Sequence, residues 1–254
     1  MAAVEREHRD GVTTLTLADE DNRNALGPAL VAELLEAIDE ADADPEVRVV
    51  VLTNRGSVFC AGADLRAAGA GGGAGPTGLD LFRRFRRSPK PFVGRIAGHC
   101  VAGGMGLAAA MDLAVADETA RFGFTEVRVG VAPAMISVLC LPKMRPVDAA
   151  AAFLRGNRFP AAEAARLGLI NAAVPADALD AEIGAIVADL RRGGPRALAA
   201  TKQLLVTVPG LGIDEAFAWT AELSAELFRG DEAAEGMAAF REKRSPRWAP
   251  PAAE

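Results

Sequence analysis

The chain has 254 residues, half of them hydrophobic, and a formal net charge of −6. This length predicts one large domain with a full core, or one domain with a terminal appendage; the acidic balance argues against nucleic acid as the main partner. No apolar run approaches the roughly 20 residues that a membrane span needs, so we expect no membrane partner. Three cysteines in apolar contexts, without C-x-x-C spacing, predict buried reduced thiols and a cytoplasmic location.

The first third of the chain alternates strand and helix signals. Residues 4–8 and 12–17 alternate around Arg9-Asp10-Gly11, which predicts a β-hairpin. Pro28 begins a predicted helix that ends at Asp44-Pro45. The apolar residues of this helix recur at helical spacing: Leu30, Val31, Leu34, Leu35 and Ile38. The β-branched run at 47–53 then predicts a buried strand.

Two strands run into turns of small residues. One strand signal at 56–60 continues into 61–63, and the apolar run at 91–97 leads to a glycine-rich turn that opens a buried helix near Gly104. Backbone N–H groups at such a turn lie unpaired at the positive end of the helix dipole. Two turns of this kind can aim two N–H groups at one oxygen, as in an oxyanion hole. Tight packing of a helix on a sheet is the alternative explanation of the glycines.

Two segments lie between these turns. Residues 67–78 contain only Ala, Gly, Pro and Thr, which favours a flexible loop, with a lid over the site as the alternative. Residues 79–87 place four arginines around Phe82 and Phe85, which predicts an amphipathic helix with a solvated charged face. The alternative for these arginines is a role in holding an anionic ligand.

The remaining chain is mostly helical. A short strand is expected at 112–116, and Asp112 is expected to cap or pair within the core. Helical periodicity then covers the following ranges: 146–154, 161–167, 178–190, 195–206, 214–228 and 231–243. We therefore predict an α/β protein whose sheet-bearing core spans residues 1–195, followed by a helical region at 196–254.

Three motifs, taken together, resemble one family. They are Phe59-Cys60-Ala61-Gly62-Ala63-Asp64-Leu65, the segment GHCVAGGMGL at 98–107, and the segment FGFTEVRVGVAP at 122–133. Their combination resembles the enoyl-CoA hydratase/isomerase (crotonase) superfamily. The resemblance implies a crotonase-like spiral of ββα units and C-terminal helices that assemble trimers, often paired into hexamers. It also implies an acyl-CoA thioester as substrate, with no separate cofactor. Two histidines without clustered acidic residues argue against a metal site.

The resemblance also assigns roles to individual residues. The N–H groups of Ala63 and Gly103 would form the oxyanion hole, and Glu126 would be the acid/base. The implied CoA contacts are Arg23, Ala25, Ala61, Asp64, Leu65, Arg66 and Lys243, the last at the CoA phosphates. The alternative for Glu126 is a buried structural carboxylate paired with Arg121, Arg128 or another arginine, because structural ion pairs also place carboxylates in apolar surroundings.

One position departs from the family pattern. Hydratases with two catalytic glutamates carry the second one where this chain has Gly106, so the chemistry would rest on Glu126 alone. By resemblance to hydratases of the methylglutaconyl-CoA type, we predict a hydratase that adds water to a 2-enoyl-CoA. A 3,2-enoyl-CoA isomerase is the alternative, because it needs only one proton shuttle. A decarboxylase or a non-catalytic acyl-CoA-binding relative are further alternatives.

Overall fold

The structure is a computed structural model that describes residues 2–68 and 76–250. The strands are β1 Val4–Arg9, β2 Val12–Leu17, β3 Val49–Asn54, β4 Val58–Cys60, β5 Phe92–Ile96, β6 His99–Val101, β7 Leu113–Asp117, β8 Arg121–Gly123, β9 Phe159–Pro160 and β10 Ala172–Val174. The α-helices are α1 Pro28–Ala43, α2 Leu65–Ala68, α3 Gly78–Arg87, α4 Gly103–Ala110, α5 Ala134–Cys140, α6 Pro146–Arg155, α7 Ala161–Arg166, α8 Leu179–Arg192, α9 Pro195–Thr207, α10 Ile213–Arg229 and α11 Asp231–Glu242. The loop or lid predicted at 67–78 lies mostly outside the described residues, as do residues 251–254.

A six-stranded sheet forms the larger layer, in the order β1-β2-β3-β5-β7-β10. Its first two strands are the predicted hairpin, joined through Asp10 and Gly11, which both have positive φ as a two-residue type I′ turn requires. From β2 onward every neighbouring pair is parallel. The hairpin and the strand expected at 47–53 are therefore confirmed.

A four-stranded sheet, in the order β4-β6-β8-β9, forms the smaller layer. Three successive repeats each send one strand to the large sheet and the next strand to the small sheet: β3-β4, β5-β6 and β7-β8. After each pair the chain returns through helical segments, which gives the expected spiral of ββα units. The prediction that the strand at 91–97 itself ends in the glycine-rich turn was wrong, because β6 intervenes in the small sheet.

The helices bury the residues that the periodicity selected. In α1, Leu30, Val31, Leu34 and Ile38 are buried, while Leu35 is half-buried. In α3, Phe82 and Phe85 are buried and most of the arginines are exposed, as an amphipathic helix requires. The small-residue helix α4 is buried from Gly104 to Ala110. It lies inside the main hydrophobic core, between the sheets and the neighbouring helices.

An ion pair between a buried lysine and a carboxylate at the surface attaches α9 to the large sheet. The Lys202 side chain is nearly inaccessible, and its Nζ lies 2.8 Å from Asp112 Oδ2 and 2.7 Å from the carbonyl oxygen of Lys90. Asp112 Oδ2 also accepts a hydrogen bond of 2.7 Å from the backbone N–H of Phe92. Asp112 therefore pairs as expected, but it does so at the surface and not within the core, because the residue itself is exposed.

The four C-terminal helices α8 to α11 lie close to their predicted positions. Helix α8 packs Leu179 and Ile183 against valines of the large sheet. No residue of α10, all of which are described, is buried, and its apolar side chains Ile213, Phe217 and Phe228 are exposed. None of the described helices is long and apolar enough to cross a membrane.

Candidate active site

Three parallel strands bring three turns to one edge of the small sheet. Strands β4, β6 and β8 are parallel neighbours, so their carboxyl ends point the same way. Open parallel sheets commonly bind ligands at this edge. A cavity of about 650 Å³ lies here, and Ala63, Gly103 and Glu126 all line it. The three residues with predicted catalytic roles are thus brought together from three separate turns.

The turns that carry Ala63 and Gly103 are in direct contact. A Cβ atom placed on Gly62 would lie 2.8 Å from the Gly103 nitrogen, and one placed on Gly103 would lie 3.3 Å from the Ala63 nitrogen. Gly62 also has a φ of +95°, which side-chain-bearing residues rarely adopt. Within the described residues, neither the Ala63 nor the Gly103 N–H donates a hydrogen bond to a protein acceptor. Two N–H donors that no described residue pairs with therefore border the same cavity.

Ala102 holds a strained conformation at the start of α4. Its φ of 50° and ψ of −124° lie in a region that non-glycine residues rarely occupy. Its N–H donates a 2.9 Å hydrogen bond to the carbonyl oxygen of Gly123, which ties the end of β6 to the end of β8. The chain thereby passes from strand to helix within one residue. Gly103 becomes the first residue of α4, where an N–H has no intrahelical acceptor.

Glu126 lies in a 3₁₀ helix, Thr125–Val129, that follows β8. Its Oε2 atom is buried and has no hydrogen-bond partner among the described residues. Burial raises the pKa of this carboxyl, and a hydrogen bond from its own backbone N–H offsets part of the rise. A half-buried carboxylate with an elevated pKa and a free oxygen is suited to accept and return a proton.

The alternative role of Glu126, a structural ion pair, does not fit the structure. Among the described residues Glu126 forms no ion pair. The Arg128 guanidinium instead donates hydrogen bonds of 2.9 Å and 3.2 Å to the carbonyl oxygens of Gly156 and Arg155. Arg121 is exposed.

The raised pKa of Glu126 predicts a pH-dependent effect on stability. Because the folded state holds this proton more tightly than the unfolded chain, the group's stabilising contribution is present below the unfolded pKa. It is lost as the pH rises through the folded pKa. Glu126→Gln should therefore raise the melting temperature more at about pH 8 than at about pH 4. Thermal unfolding at both pH values measures this difference, and equal shifts would contradict it.

The predicted CoA contacts divide into two groups. Ala61 and Leu65 line the cavity. The loop with Arg23 and Ala25 lies beside it, where the Ala61 N–H donates a 3.1 Å hydrogen bond to the carbonyl oxygen of Arg23. Arg23 is exposed, whereas Ala25 is buried.

Asp64, Arg66 and Lys243 are not among the residues that line the cavity. Asp64 accepts hydrogen bonds from the Asn22 side chain at 3.1 Å and from the Arg66 backbone at 2.9 Å. It therefore links the two loops beside the site. Lys243 is the C-terminal cap of α11, with a positive φ.

The position of the absent second glutamate is filled by other side chains. A Cβ placed on Gly106 would lie 2.5 Å from Ile136 Cγ2 and 2.7 Å from Phe82 Cζ. Phe82 and Ile136 both line the cavity. Sequence reasoning missed them as site residues, because they come from helices far apart in the chain and the pattern shows only that each is apolar.

Two buried cysteines and a histidine outside the cavity lining are unsuited to nucleophilic catalysis. Cys60 and Cys140 are buried free thiols, and desolvation raises the pKa of each to about 12. A thiol that stays protonated is a poor nucleophile. The His99 ring accepts a hydrogen bond from the Arg121 backbone. Within residues 2–68 and 76–250, no group of three or more His, Cys, Asp or Glu side chains could hold a metal ion.

The sequence matches the model of the enoyl-CoA hydratase/isomerase family over residues 7–251. The chain belongs to this family. A relative from Thermus thermophilus, provisionally named an enoyl-CoA hydratase, is 40% identical, with 98% of this chain and 100% of the relative covered. Enoyl-CoA hydratase EchA19 of Mycobacterium tuberculosis is 31% identical, with 94% of each chain covered.

Solved structures of the family share the fold. The crystal structure of an enoyl-CoA hydratase from Mycobacterium smegmatis superposes with a TM-score of 0.89 at 32% identity, and covers 98% of this chain and 99% of its own. The predicted crotonase-like α/β fold is therefore confirmed, and this chain is an enzyme of the enoyl-CoA hydratase/isomerase family.

Proposed function

We propose that this enoyl-CoA hydratase/isomerase family member adds water to a 2-enoyl-CoA thioester. The observation that carries the proposal is a buried carboxylate oxygen that borders the same cavity as two backbone N–H groups, none of the three having a hydrogen-bond partner in the part of the chain that the structure describes. The N–H groups of Ala63 and Gly103 would bind the thioester oxygen as it becomes anionic. One such donor is typically worth about 3 kcal/mol of transition-state stabilisation.

Glu126 would then carry both proton transfers. Its carboxylate accepts a proton from water as the water oxygen forms a bond to C3 and the electrons of the double bond move to C2. The resulting enolate is held by the two N–H groups. Glu126 then delivers the proton to C2, so one water adds across the double bond and the carboxylate is restored. The raised pKa of Glu126 makes its carboxylate a better proton acceptor than an ordinary glutamate.

Isomerisation of a 3-enoyl-CoA is the second candidate, and the surroundings of Gly106 favour it. Position 106 is a glycine, and Phe82 and Ile136 occupy the space where its side chain would lie. Glu126 is therefore the one cavity-lining carboxylate among the described residues. A single carboxylate can move a proton from C2 to C4 without a water molecule.

One assay separates these functions. Loss of the enoyl thioester absorbance with crotonyl-CoA indicates hydration, whereas formation of that absorbance from a 3-enoyl-CoA indicates isomerisation. Binding of both acyl-CoA compounds without turnover would instead favour a non-catalytic relative. Failure to bind either one would contradict an acyl-CoA site altogether.

The proposal also includes the contacts of the CoA moiety and the oligomeric state of the protein. The CoA contacts would come from the seven residues that the resemblance selects, with Lys243 at the phosphates, and we expect no separate cofactor. Exposed apolar side chains on α10 and α11, among them Phe217, Phe228 and Phe240, support a subunit interface formed by residues 196–254. We expect a cytoplasmic trimer or hexamer. Analytical ultracentrifugation of the full chain measures the oligomeric state, and a monomer at all concentrations would contradict the expected assembly.

Restoring a carboxylate at position 106 should not improve hydration. Gly106→Glu inserts a side chain where Ile136 and Phe82 already lie within 2.7 Å of the new Cβ. Overpacking of this kind typically costs about 1–3 kcal/mol of unfolding free energy. We expect a lower melting temperature and no gain in crotonyl-CoA turnover. A stable variant with faster turnover would contradict this prediction, because it would show that Phe82 and Ile136 can move to accommodate the new side chain.

A further inference from the structure

One wall of the cavity consists of two side chains that meet over a glycine. Gly103 and Gly106 are three residues apart on α4, so they lie on the same side of this helix. Over Gly106, the Phe82 ring from α3 and the Ile136 side chain from α5 occupy the space that a side chain of α4 would fill. Both are only 4% exposed, and both line the cavity.

This wall is apolar along its length. Beyond Ile136, the cavity is lined by the apolar segment 131–135. The charged residues that line the cavity are Glu126 and two arginines, Arg128 and Arg158, among the described residues. Both arginines are exposed to solvent, and the Arg128 guanidinium already donates two hydrogen bonds to backbone carbonyl oxygens.

We propose that Phe82 and Ile136 form the acyl wall of this cavity and determine the size of the acyl group, with Gly106 as the residue that admits them. The inference rests on the proposed function, because it assumes that the acyl group of an acyl-CoA lies beside Gly103 and Glu126. An acyl group that reaches past the thioester meets the phenyl ring and the branched aliphatic side chain. The wall therefore selects a hydrocarbon acyl chain of limited size and disfavours a distal carboxylate, whose burial against apolar side chains is unfavourable.

The test compares binding of saturated acyl-CoA compounds, which requires no turnover. Isothermal titration calorimetry measures the affinity of the full chain for butyryl-CoA, octanoyl-CoA and glutaryl-CoA. Phe82→Leu removes part of the wall and should shift the octanoyl/butyryl affinity ratio about tenfold toward octanoyl-CoA, since one methylene in an apolar pocket can be worth that factor. Ile136→Val should shift the ratio in the same direction by less.

Two further variants make the result specific. Phe85→Leu changes an equally buried phenylalanine on the same helix, which packs edge-on against Phe92 with ring centroids 4.9 Å apart and does not line the cavity. It should lower the melting temperature without changing the affinity ratio. Gly106→Ala pushes Phe82 and Ile136 toward the cavity and should shift the ratio toward butyryl-CoA.

The outcomes separate this inference from the proposed function. A parent protein that binds none of the three compounds overturns the acyl-CoA site itself, and with it the acyl wall. If the parent protein binds these compounds but Phe82→Leu and Ile136→Val leave the octanoyl/butyryl affinity ratio unchanged, the acyl-wall proposal alone is overturned. Tighter binding of glutaryl-CoA than of butyryl-CoA also overturns it, because the arginines would then determine the acyl group.

Discussion

Glu126→Gln should lower the turnover of crotonyl-CoA at least about a hundredfold, because the amide can neither accept nor return the proton. The change keeps the size of a side chain whose Oε2 atom is buried and has no partner in residues 2–68 and 76–250. Affinity for a saturated acyl-CoA should stay within a few-fold of the parent value, since the two N–H donors are untouched. Steady-state kinetics and calorimetry on the same preparation measure both quantities.

A matched variant controls for the loss of a carboxylate as such. Glu118 is exposed in the turn after β7 and lies outside the cavity. Glu118→Gln should leave turnover unchanged. If Glu126→Gln retained the parent turnover, Glu126 would have no part in the mechanism, and the buried oxygen would need another explanation.

Gly103→Pro should produce the second large effect. Proline has no N–H, so the substitution deletes one of the two donors at the cavity. It falls at the first position of α4, where a helix tolerates proline best. Loss of one oxyanion donor typically lowers turnover about 10²- to 10³-fold.

Gly103→Ala is the matched control for this change, because it adds a Cβ and keeps the N–H. That Cβ would lie 3.1 Å from Gly62 Cα and 3.3 Å from the Ala63 nitrogen, so the two turns must move apart by a few tenths of an ångström. We expect a smaller loss of turnover than with proline. Circular dichroism verifies that both variants fold, and equal turnover in the two folded variants would exclude the Gly103 N–H as a donor.

Much of the fold follows from local sequence signals. Asp10-Gly11 between alternating segments is sufficient for the hairpin, and Pro28 with its periodic apolar residues is sufficient for α1. Strands β6 and β8 were missed because each has only three residues, too few to display a period of two. They become strands because neighbouring strands of the small sheet supply their hydrogen bonds.

The sequence predicts which turns form the site, but not the detailed conformation of these turns or the contacts between distant segments. The motifs around Ala63, Gly103 and Glu126 identify the turns, and the structure brings all three turns to one cavity. The conformation of Ala102 could not be anticipated, because a positive φ at an alanine goes against its intrinsic preference. The contact of Phe82 and Ile136 over Gly106 joins segments far apart in the chain, and no local pattern encodes such a contact.

The order of the small sheet has a consequence for how this scaffold can diversify. Each group at the cavity follows a different strand, so backbone ladders hold the spacing while each connecting segment carries its own chemistry. Under the proposed mechanism, replacing the segment after β8 would change the proton carrier and leave the two amide donors in position. A single framework can thus be adapted to several transformations of a stabilised enolate, one segment at a time.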